Sequence, residues 1–300
     1  MKKHYRDIDG ILLVDKPPEA SSNQVLQQVR RGYNARKAGH TGTLDPFASG
    51  LLVCCFGQAT KISGMLLDGD KTYRATLQLG QATATGDREG EVTAEADVPA
   101  LDPAHIQSLF DAMQGPQAQT PPMYSAIKVD GKRLYKLARQ GIEVERQPRQ
   151  ITIHRLQLLD CKADSIEFEV RCSKGTYVRV LGETIATELG SCGHLSALRR
   201  TGLGPFTVAA AQTPEQLEQG DWPQAVLLSP DQALVAWPAV ELDPAATADF
   251  VHGRRPRLPA ASAASPLRVY DAEHRFLGIG ELAEDGLLKP KRLFITTNKG

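Results

Sequence analysis

The sequence lacks any long hydrophobic run, and no apolar stretch approaches the roughly 18 residues that a membrane-spanning helix requires. Residues 1–7 carry charges, but no apolar core of a signal peptide follows them. We therefore expect a cytoplasmic protein that makes no contact with a membrane.

Cysteine is scarce, with five residues in the chain. Cys54 and Cys55 are adjacent, and Cys161, Cys172 and Cys192 are scattered. No pair has C-x-x-C spacing, so the pattern indicates neither a zinc site nor a disulfide framework, and reduced, mostly buried thiols fit it better. The sequence also lacks a P-loop, a dinucleotide-binding fingerprint and a metal-ligand cluster. We expect no metal site and no cofactor.

Neither sign of charge is in excess, since 35 Lys and Arg balance 35 Asp and Glu. Nucleic-acid-binding proteins are usually basic, so the total argues weakly against an RNA partner. The distribution argues for one: between Lys128 and Arg149 seven basic residues face three acidic residues. A neutral protein with such a basic stripe can still bind phosphate locally.

The contents of hydrophobic (41%) and charged (23%) residues are typical of a globular protein, and 300 residues suggest about two domains. No internal repeat is evident. The composition shifts near Pro238 and Pro244, after which an Ala/Ser/Pro linker occupies residues 259–266. Basic clusters lie on either side of this linker, at 253–256 and 289–293.

The most informative stretch is residues 39–50, where three glycines and one proline rule out a regular helix or a central strand. The apolar run 51–56 follows at once and predicts a buried strand. Asp45 therefore lies on a loop that leads directly into the core. An Asp-Pro pair often closes a turn, and an aspartate on a shaped loop beside a rigid strand is also a suitable place for catalysis.

The stretch GHTGTLDPFASGLL resembles the active-site motif of the TruB-type tRNA pseudouridine synthases. That family converts uridine 55, in the T-arm loop of tRNA, to pseudouridine. The resemblance implies that Asp45 is catalytic and that His40 stacks in the space vacated by the flipped base. From the residue alone, His40 could equally be a loop histidine that only makes hydrogen bonds.

Two further motifs of the family are present near the start of the chain. Asp15-Lys16-Pro17 matches the first motif, in which Lys16 and Pro17 help to build the active-site wall. The family usually has glycine two residues after the proline, whereas this chain has Glu19. Lys71-Thr72-Tyr73 matches the K-x-Y motif, in which Tyr73 stacks on the target base and is a candidate for the late proton transfer. Without the resemblance, Lys16 could be a solvated strand-end charge and Tyr73 a core tyrosine.

The later motifs supply the expected partners of Asp45. C-S-K-G-T-Y-x-R is intact at residues 172–179, which implies that Tyr177 lines the base pocket and that Arg179 pairs with Asp45. Such a pair lowers a carboxylate pKa and would keep Asp45 ionised. Because Arg179 lies at a helix N-terminus, it requires a carboxylate in any case, and Glu183 is the local alternative.

The segment 194–202 matches another motif of the family, whose leucine packs on the target base; this leucine is Leu198 here. The adjacent Arg199 and Arg200 are candidates for contacts with backbone phosphate. Residues 120–150, which include Lys128, resemble the mobile thumb that closes over the T-arm. A solvated amphipathic helix is the alternative interpretation of this segment.

Periodicity and capping residues predict the elements of this fold. The predicted strands are 10–14, 51–56, 71–80, 151–159, 165–172 and 277–282. The predicted helices begin after Ser21 and span 58–67, 103–113, 132–140 and 178–189, with a short one ending at Leu217. Asp130-Gly131 predicts a hairpin, and 83–87 predicts a polar turn.

We predict an α+β fold with a mixed or antiparallel sheet. The resemblance implies a catalytic domain over residues 1–240, with the thumb inserted at about 120–150. It also implies a small β-rich PUA-like RNA-binding domain over residues 245–300. The expected partner is tRNA, through its T-arm loop and stem and its acceptor stem, and we expect a monomer.

The resemblance implies a mechanism that begins with extrusion of the target uridine from the T-loop, because its C5 is otherwise out of reach. Asp45 then acts as the nucleophile, at C1′ of the sugar or C6 of the base. Two other classes stay open. One is an RNA-binding module without catalysis, which the joint presence of Asp45, Tyr73 and Arg179 disfavours. The other is a glycosidase-like hydrolase, which needs a second carboxylate near Asp45, and the motif contains none.

Overall fold

The structure is a computed structural model and describes residues 5–129, 131–258 and 265–294. Its secondary structure is mixed, with a large sheet, three small sheets and short helices. The predicted α+β fold with a mixed sheet is confirmed. Asp130 of the predicted hairpin and residues 259–264 of the predicted linker lie outside the described residues.

The large sheet has the strand order β1-β3-β12-β4-β11-β10-β7, with β2 paired to β3 and β13 to β12. All these pairings are antiparallel except the parallel one between β12 and β3. Up to β13 the strands are β1 (Gly10–Lys16), β2 (Ala38–His40), β3 (Ser49–Phe56), β4 (Lys71–Leu79), β5 (Gln81–Thr83), β6 (Val92–Glu95), β7 (Gly115–Gln119), β8 (Lys128–Val129), β9 (Lys132–Arg133), β10 (Arg149–Cys161), β11 (Ser165–Cys172), β12 (Gly193–Leu203) and β13 (Phe206–Thr207).

The helices begin where the sequence supplies capping residues. Ser21 and Gln24 form a reciprocal capping box at the first helix, and Asp102 caps the third with Pro103 at its first turn. The helices are α1 (Ser22–Gly32), α2 (Ser63–Asp68), α3 (Pro103–Ala112), α4 (Leu134–Ala138), α5 (Val178–Glu188), α6 (Pro214–Gln219) and α7 (Pro244–Val251).

The core forms on both faces of the large sheet. On one face, α3 and α5 pack over β4, β11 and β10, and the residues after β2 pack with them through Leu44, Phe47 and Ala48. On the same face α1 covers β1 and β3. On the other face the residues 57–68 and part of the C-terminal sheet cover β1 and β3. The loop that carries Asp45 is therefore held by the main core.

A small C-terminal sheet follows, with the order β14-β15-β16-β17. Its strands are β14 (Ala239–Glu241), β15 (Leu267–Tyr270), β16 (Phe276–Leu282) and β17 (Leu288–Leu293). Helix α7 lies between the first two and contributes Phe250 to a separate small core. The predicted strand 277–282 is confirmed within β16.

Two predicted helices are wrong in extent. The predicted helix 58–67 is a 3₁₀ helix, Gly57–Ile62, that continues into the short α2. The predicted helix 132–140 begins only at Leu134, because Lys132 and Arg133 pair with Val129 and Lys128 in a hairpin around Gly131. Among the described residues, no helix combines the length and the apolar character needed to cross a membrane.

Candidate active site

Asp45 lies on the loop between β2 and β3, and several backbone contacts fix this loop. The Ser22 hydroxyl, in the first turn of α1, accepts a hydrogen bond from the Leu44 amide at 2.8 Å and donates one to the Leu44 carbonyl. The Asp45 carbonyl accepts a bond from the Ala48 amide and closes the turn. The backbone of Asp45 therefore closes a turn, and its side chain, 37% exposed, lines a cavity.

Arg179 pairs with Asp45, as predicted. Its Nε donates to Asp45 Oδ2 at 2.9 Å, and its side chain is only 4% exposed. Its other nitrogens donate to the backbone carbonyls of Thr85 and Tyr124. The alternative partner, Glu183, interacts with Arg179 electrostatically but forms no ion pair with it among the described residues.

Asp87 is a second carboxylate at the same guanidinium, and the sequence-based prediction missed it. Its Oδ2 lies 3.6 Å from Arg179 Nε, and its side chain is 6% exposed. The Thr85 hydroxyl and the Glu89 amide donate to its Oδ1 and fix its orientation. The only signal in the sequence is its position at the end of the polar turn 83–87, so the second carboxylate that the Asp45 motif lacks comes from another loop.

Arg179 lowers the pKa of Asp45, as expected, but burial has the larger effect on this pKa. Burial raises the pKa of Asp45, and the nearby charge of Asp87 adds to this rise. The Arg179 guanidinium and, more weakly, the Lys16 ammonium act in the opposite direction. The pairing with arginine is therefore a partial compensation for the cost of burial.

Three further predicted site residues, Tyr73, Tyr177 and Leu198, belong to the surroundings of the Asp45 loop. Tyr73 is partly buried against the cluster that contains Leu44 and Phe47, and burial raises its pKa. Leu198 belongs to the same cluster and is 7% exposed. Tyr177 precedes α5, and its backbone amide and carbonyl are both bonded to the Gln119 side chain, at 2.8 and 3.1 Å. Gln119 is another residue that the sequence did not reveal.

Lys16 is fully buried, so the interpretation as a solvated strand-end charge is wrong. Its ammonium donates to the carbonyls of Pro17, Ala20 and Pro46, and it thereby ties the residues after β1 to the Asp45 loop. Burial lowers the pKa of Lys16 to about 8, against the raising effect of Asp45. Pro17 takes part in this contact through its carbonyl.

A cavity of about 1290 Å³ is lined by Asp45 and Arg179. One wall is the Asp45 loop with His40, whose Nδ1 is buried and has no hydrogen-bond partner among the described residues. Burial, and next the Arg200 charge, lower the pKa of His40. The opposite wall comes from the segment between β7 and β10, with the basic side chains of Lys128, Arg133 and Arg139. The remaining wall is formed by residues 84–91 and the start of α1.

The expectation that both Arg199 and Arg200 meet phosphate is wrong for Arg200, which is 1% exposed and bonds to the carbonyls of Leu51 and Gly42. Arg199 is half-exposed, but it does not line the cavity and forms a two-bond ion pair with Asp15. Successive residues of a strand point to opposite faces of the sheet, so only one of two adjacent arginines can face the site.

Comparison with protein families gives two matches. A model described as "TruB family pseudouridylate synthase (N terminal domain)" matches residues 30–178. A model described as "Pseudouridine synthase II TruB, C-terminal" matches residues 238–294. The N-terminal match contains Asp45, Tyr73 and Asp87.

Curated relatives match almost the whole chain. A tRNA pseudouridine synthase B of Hydrogenovibrio crunogenus is 49% identical over 294 residues, which cover 98% of this chain and 96% of that protein. One of Pseudomonas putida is 47% identical over 299 residues, 98% of each chain.

Two solved structures are similar in fold. A Cbf5-Nop10-Gar1 complex matches with a TM-score of 0.72 and 24% identity, covering 95% of this chain and 85% of that chain. An H/ACA RNP bound to a substrate RNA that contains 2′-deoxyuridine matches with a TM-score of 0.73 and 21% identity, covering 96% and 86%. At these identities the likeness concerns the fold. The family models and the curated relatives place the chain in the TruB family of pseudouridylate synthases, which are isomerases.

Proposed function

We propose that this enzyme isomerises uridine 55 in the T-arm loop of tRNA to pseudouridine, with Asp45 as the catalytic residue. The observation that carries the proposal is the Asp45–Arg179 ion pair, which lies at 2.9 Å on the wall of the cavity. The names of the curated relatives support tRNA as the substrate. The choice of uridine 55 follows from the resemblance of the motif around Asp45.

The cavity suits a segment of polymer better than a small molecule. Its volume of about 1290 Å³ exceeds the roughly 300–1,000 Å³ that is typical of small-molecule pockets. Lys128, Arg133 and Arg139 line one side, where phosphates of a folded RNA loop would be neutralised. We propose that the segment between β7 and β10 is the thumb that closes on the T-arm.

The reaction requires the target uridine to leave its stack. We propose that His40 fills the vacated space, since its ring lines the cavity and its Nδ1 lacks an internal partner among the described residues. Tyr73, Tyr177 and Leu198 would enclose the flipped base, and Lys16 and Pro17 would support the wall behind Asp45.

Asp45 attacks either C1′ of the ribose or C6 of the base. Both routes break the N1–C1′ bond, rotate the base and form the C5–C1′ bond, and the bond between the substrate and Asp45 breaks again, which regenerates the Asp45 carboxylate. The hydrogen on C5 then leaves as a proton, N1 gains a proton, and the product is an isomer of the substrate. Tyr73 is the proposed group for the late proton transfer. Arg179 holds the Asp45 carboxylate in position and stabilises its ionised form.

The proposed function also involves the domain organisation and the oligomeric state of the enzyme. We propose a catalytic domain over residues 1–240 and a C-terminal RNA-binding domain over residues 245–300 that contacts the acceptor stem. We also propose that the enzyme acts as a monomer in the cytoplasm. Size-exclusion chromatography with and without tRNA tests the oligomeric state.

The test is pseudouridine formation in T-arm RNA by the wild type and by Asp45→Asn, with RNA binding measured alongside. We expect wild-type turnover at uridine 55 and none in RNA that carries cytidine there. Asp45→Asn should bind the RNA and form no pseudouridine. The matched control is Asp70→Asn, which removes another Asp–Arg pair, Asp70–Arg171 at 3.0 Å, outside the lining of this cavity.

Three results would contradict the proposal. Modification at another uridine would refute the site. Binding without modification by the wild type would favour an RNA-binding module. Release of free uracil would favour the hydrolase, for which Asp87 would be the second carboxylate.

A further inference from the structure

Arg200 is the largest side chain that is fully buried in the described structure, with 1% exposure. It lies in the central strand β12, beside Arg199, which faces the other side of the sheet and pairs with Asp15. Within the described residues, no carboxylate forms an ion pair with Arg200. A buried guanidinium without a carboxylate is costly unless hydrogen bonds satisfy it. Its contacts therefore indicate why it is buried.

The two hydrogen bonds of Arg200 bracket the Asp45 loop. Its Nε donates to the Leu51 carbonyl at 2.7 Å, and its Nη2 donates to the Gly42 carbonyl at 3.1 Å. Gly42 precedes Asp45 by three residues, and Leu51 follows it by six. A single planar group thus joins the two ends of the loop that carries the catalytic carboxylate.

The loop also approaches the backbone of Arg200 very closely. Gly50 has φ +100°, and a Cβ at this position would lie 2.3 Å from the Arg200 carbonyl oxygen. Gly42 has φ +98°, and a Cβ there would lie 3.4 Å from Arg200 Nη1. Gly50 is therefore required by the close approach of the loop to the backbone of β12, and at Gly42 the positive φ is what favours glycine.

Tyr73 is the third partner. It lies opposite Arg200 in the β12–β4 pairing, so the two side chains point to the same face of the sheet. The guanidinium charge opposes the rise that burial causes in the Tyr73 pKa. The same charge helps to lower the pKa of His40 on the cavity wall.

We infer that Arg200 is a positioning residue for the isomerisation: from beneath the cavity it holds both ends of the Asp45 loop and the Tyr73 side chain in one arrangement. The inference rests on the proposed function, because it assigns Arg200 a task in that reaction. Arg200 itself has no access to the substrate, since it is buried. A lysine cannot replace it fully, because an ammonium lacks the planar fork that reaches the Leu51 and Gly42 carbonyls together.

The test compares Arg200→Gln and Arg200→Lys with the controls Arg74→Gln and Arg74→Lys, because Arg74 lies next to Tyr73 in β4, pairs with Glu167 and does not line the cavity. We expect Arg200→Gln to lower kcat about 100-fold, the size of effect that a displaced catalytic group produces. KM and the Kd for T-arm RNA should be unchanged, because the cavity walls that bind RNA remain. Arg200→Lys should recover part of the loss, and both Arg74 variants should retain wild-type kcat.

Thermal unfolding and the stoichiometry of RNA binding show what fraction of each variant is folded and competent. A loss of kcat that only follows a loss of folded protein would assign Arg200 to the core and overturn the inference, as would failure of both Arg200 variants to fold. Wild-type kcat in folded Arg200 variants would also overturn it. If instead the wild type binds the RNA and forms no pseudouridine, the proposed function fails first and this inference fails with it.

Discussion

Glu19 has a backbone conformation that its residue type does not favour. Its φ is +67°, a left-handed conformation that favours glycine, and its amide donates to the Pro46 carbonyl at 2.7 Å. Its carboxylate approaches Arg88 at 3.8 Å, and the neighbours of Arg88 in the chain, Asp87 and Glu89, line the cavity. The bond to Pro46 holds the residue next to Asp45, so the conformation persists although the side chain does not prefer it.

Replacement of Glu19 by glycine should not weaken the protein. The relief of the left-handed conformation, about 1 kcal/mol, is opposed by the greater freedom of glycine in the unfolded chain. Removal of the negative charge beside the cavity should strengthen RNA binding in both Glu19→Gly and Glu19→Gln. Only the glycine variant relieves the backbone. Urea unfolding and RNA titration separate the two effects, and weaker RNA binding by both variants would contradict this reasoning.

Lys16 predicts a specific pH dependence of stability. Its pKa is lowered from 10.5 to about 8, so between these pH values the unfolded chain binds more protons than the folded protein. The free energy of unfolding should therefore rise with pH between about pH 8 and pH 10.5. Below about pH 8, Lys16 should cause no such rise, because it is protonated in both states. The wild type should gain stability relative to Lys16→Met between pH 8 and 10.5. Thermal unfolding at several pH values measures the difference, and a constant difference would refute the lowered pKa.

At the scale of elements, the site depends on where strands and helices end. The Asp45 loop joins β2 to β3, the proposed thumb leaves the sheet between β7 and β10, and Arg179 lies in the first turn of α5. Gln119, the last residue of β7, bonds to both backbone groups of Tyr177 just before α5. This contact couples the base of the thumb to the helix that supplies Arg179.

Gln119→Leu should therefore destabilise the protein and slow the reaction. The substitution leaves the Tyr177 amide and carbonyl without partners, which costs about 2 kcal/mol. Gln117→Leu is the matched control, because Gln117 lies two residues earlier on the same strand and bonds only to the Met113 carbonyl. Chemical unfolding and kcat are the measurements, and equal effects of the two variants would show that the contact with Tyr177 has no special role.

At the scale of the whole molecule, the C-terminal sheet packs directly on the catalytic sheet. Ile279 and Phe294 belong to the same hydrophobic cluster as Ile11 and Val53. Lys61, from the 3₁₀ helix, donates to the Leu293 carbonyl at 2.6 Å and lies over the Phe294 ring. A surface of this kind holds the two sheets in one relative position.

Phe294→Ala tests this packing. Loss of a buried phenylalanine typically costs about 3–5 kcal/mol. We therefore expect the variant to be about 3 kcal/mol less stable than the wild type and to unfold at a clearly lower urea concentration. The control is Val235→Ala, since Val235 is 53% exposed and should change stability by less than about 0.5 kcal/mol. An unchanged midpoint for Phe294→Ala would show that the two sheets are not energetically coupled.

Local patterns in the sequence determined much of this molecule. We could recognise β4 and β11 from their alternating residues, α1 and α3 from their capping residues, and the Asp45 loop from its motif. Each of these signals depends on residues that are close together in the chain. The same is true of the basic character of the thumb. The pairing of Asp45 with Arg179 was also expected, through the resemblance of two separate motifs to one family.

The tertiary structure decided what distant residues do to one another. β12 was not predicted as a strand, because a segment with His194, Arg199 and Arg200 does not have the composition of a central strand. Its two arginines are tolerated there because Arg199 pairs with Asp15 and Arg200 donates hydrogen bonds to two backbone carbonyls. The burial of Lys16, the approach of Asp87 and the raised pKa of Asp45 have the same origin. Each depends on desolvation and on partners far away in sequence, which only the folded chain brings together.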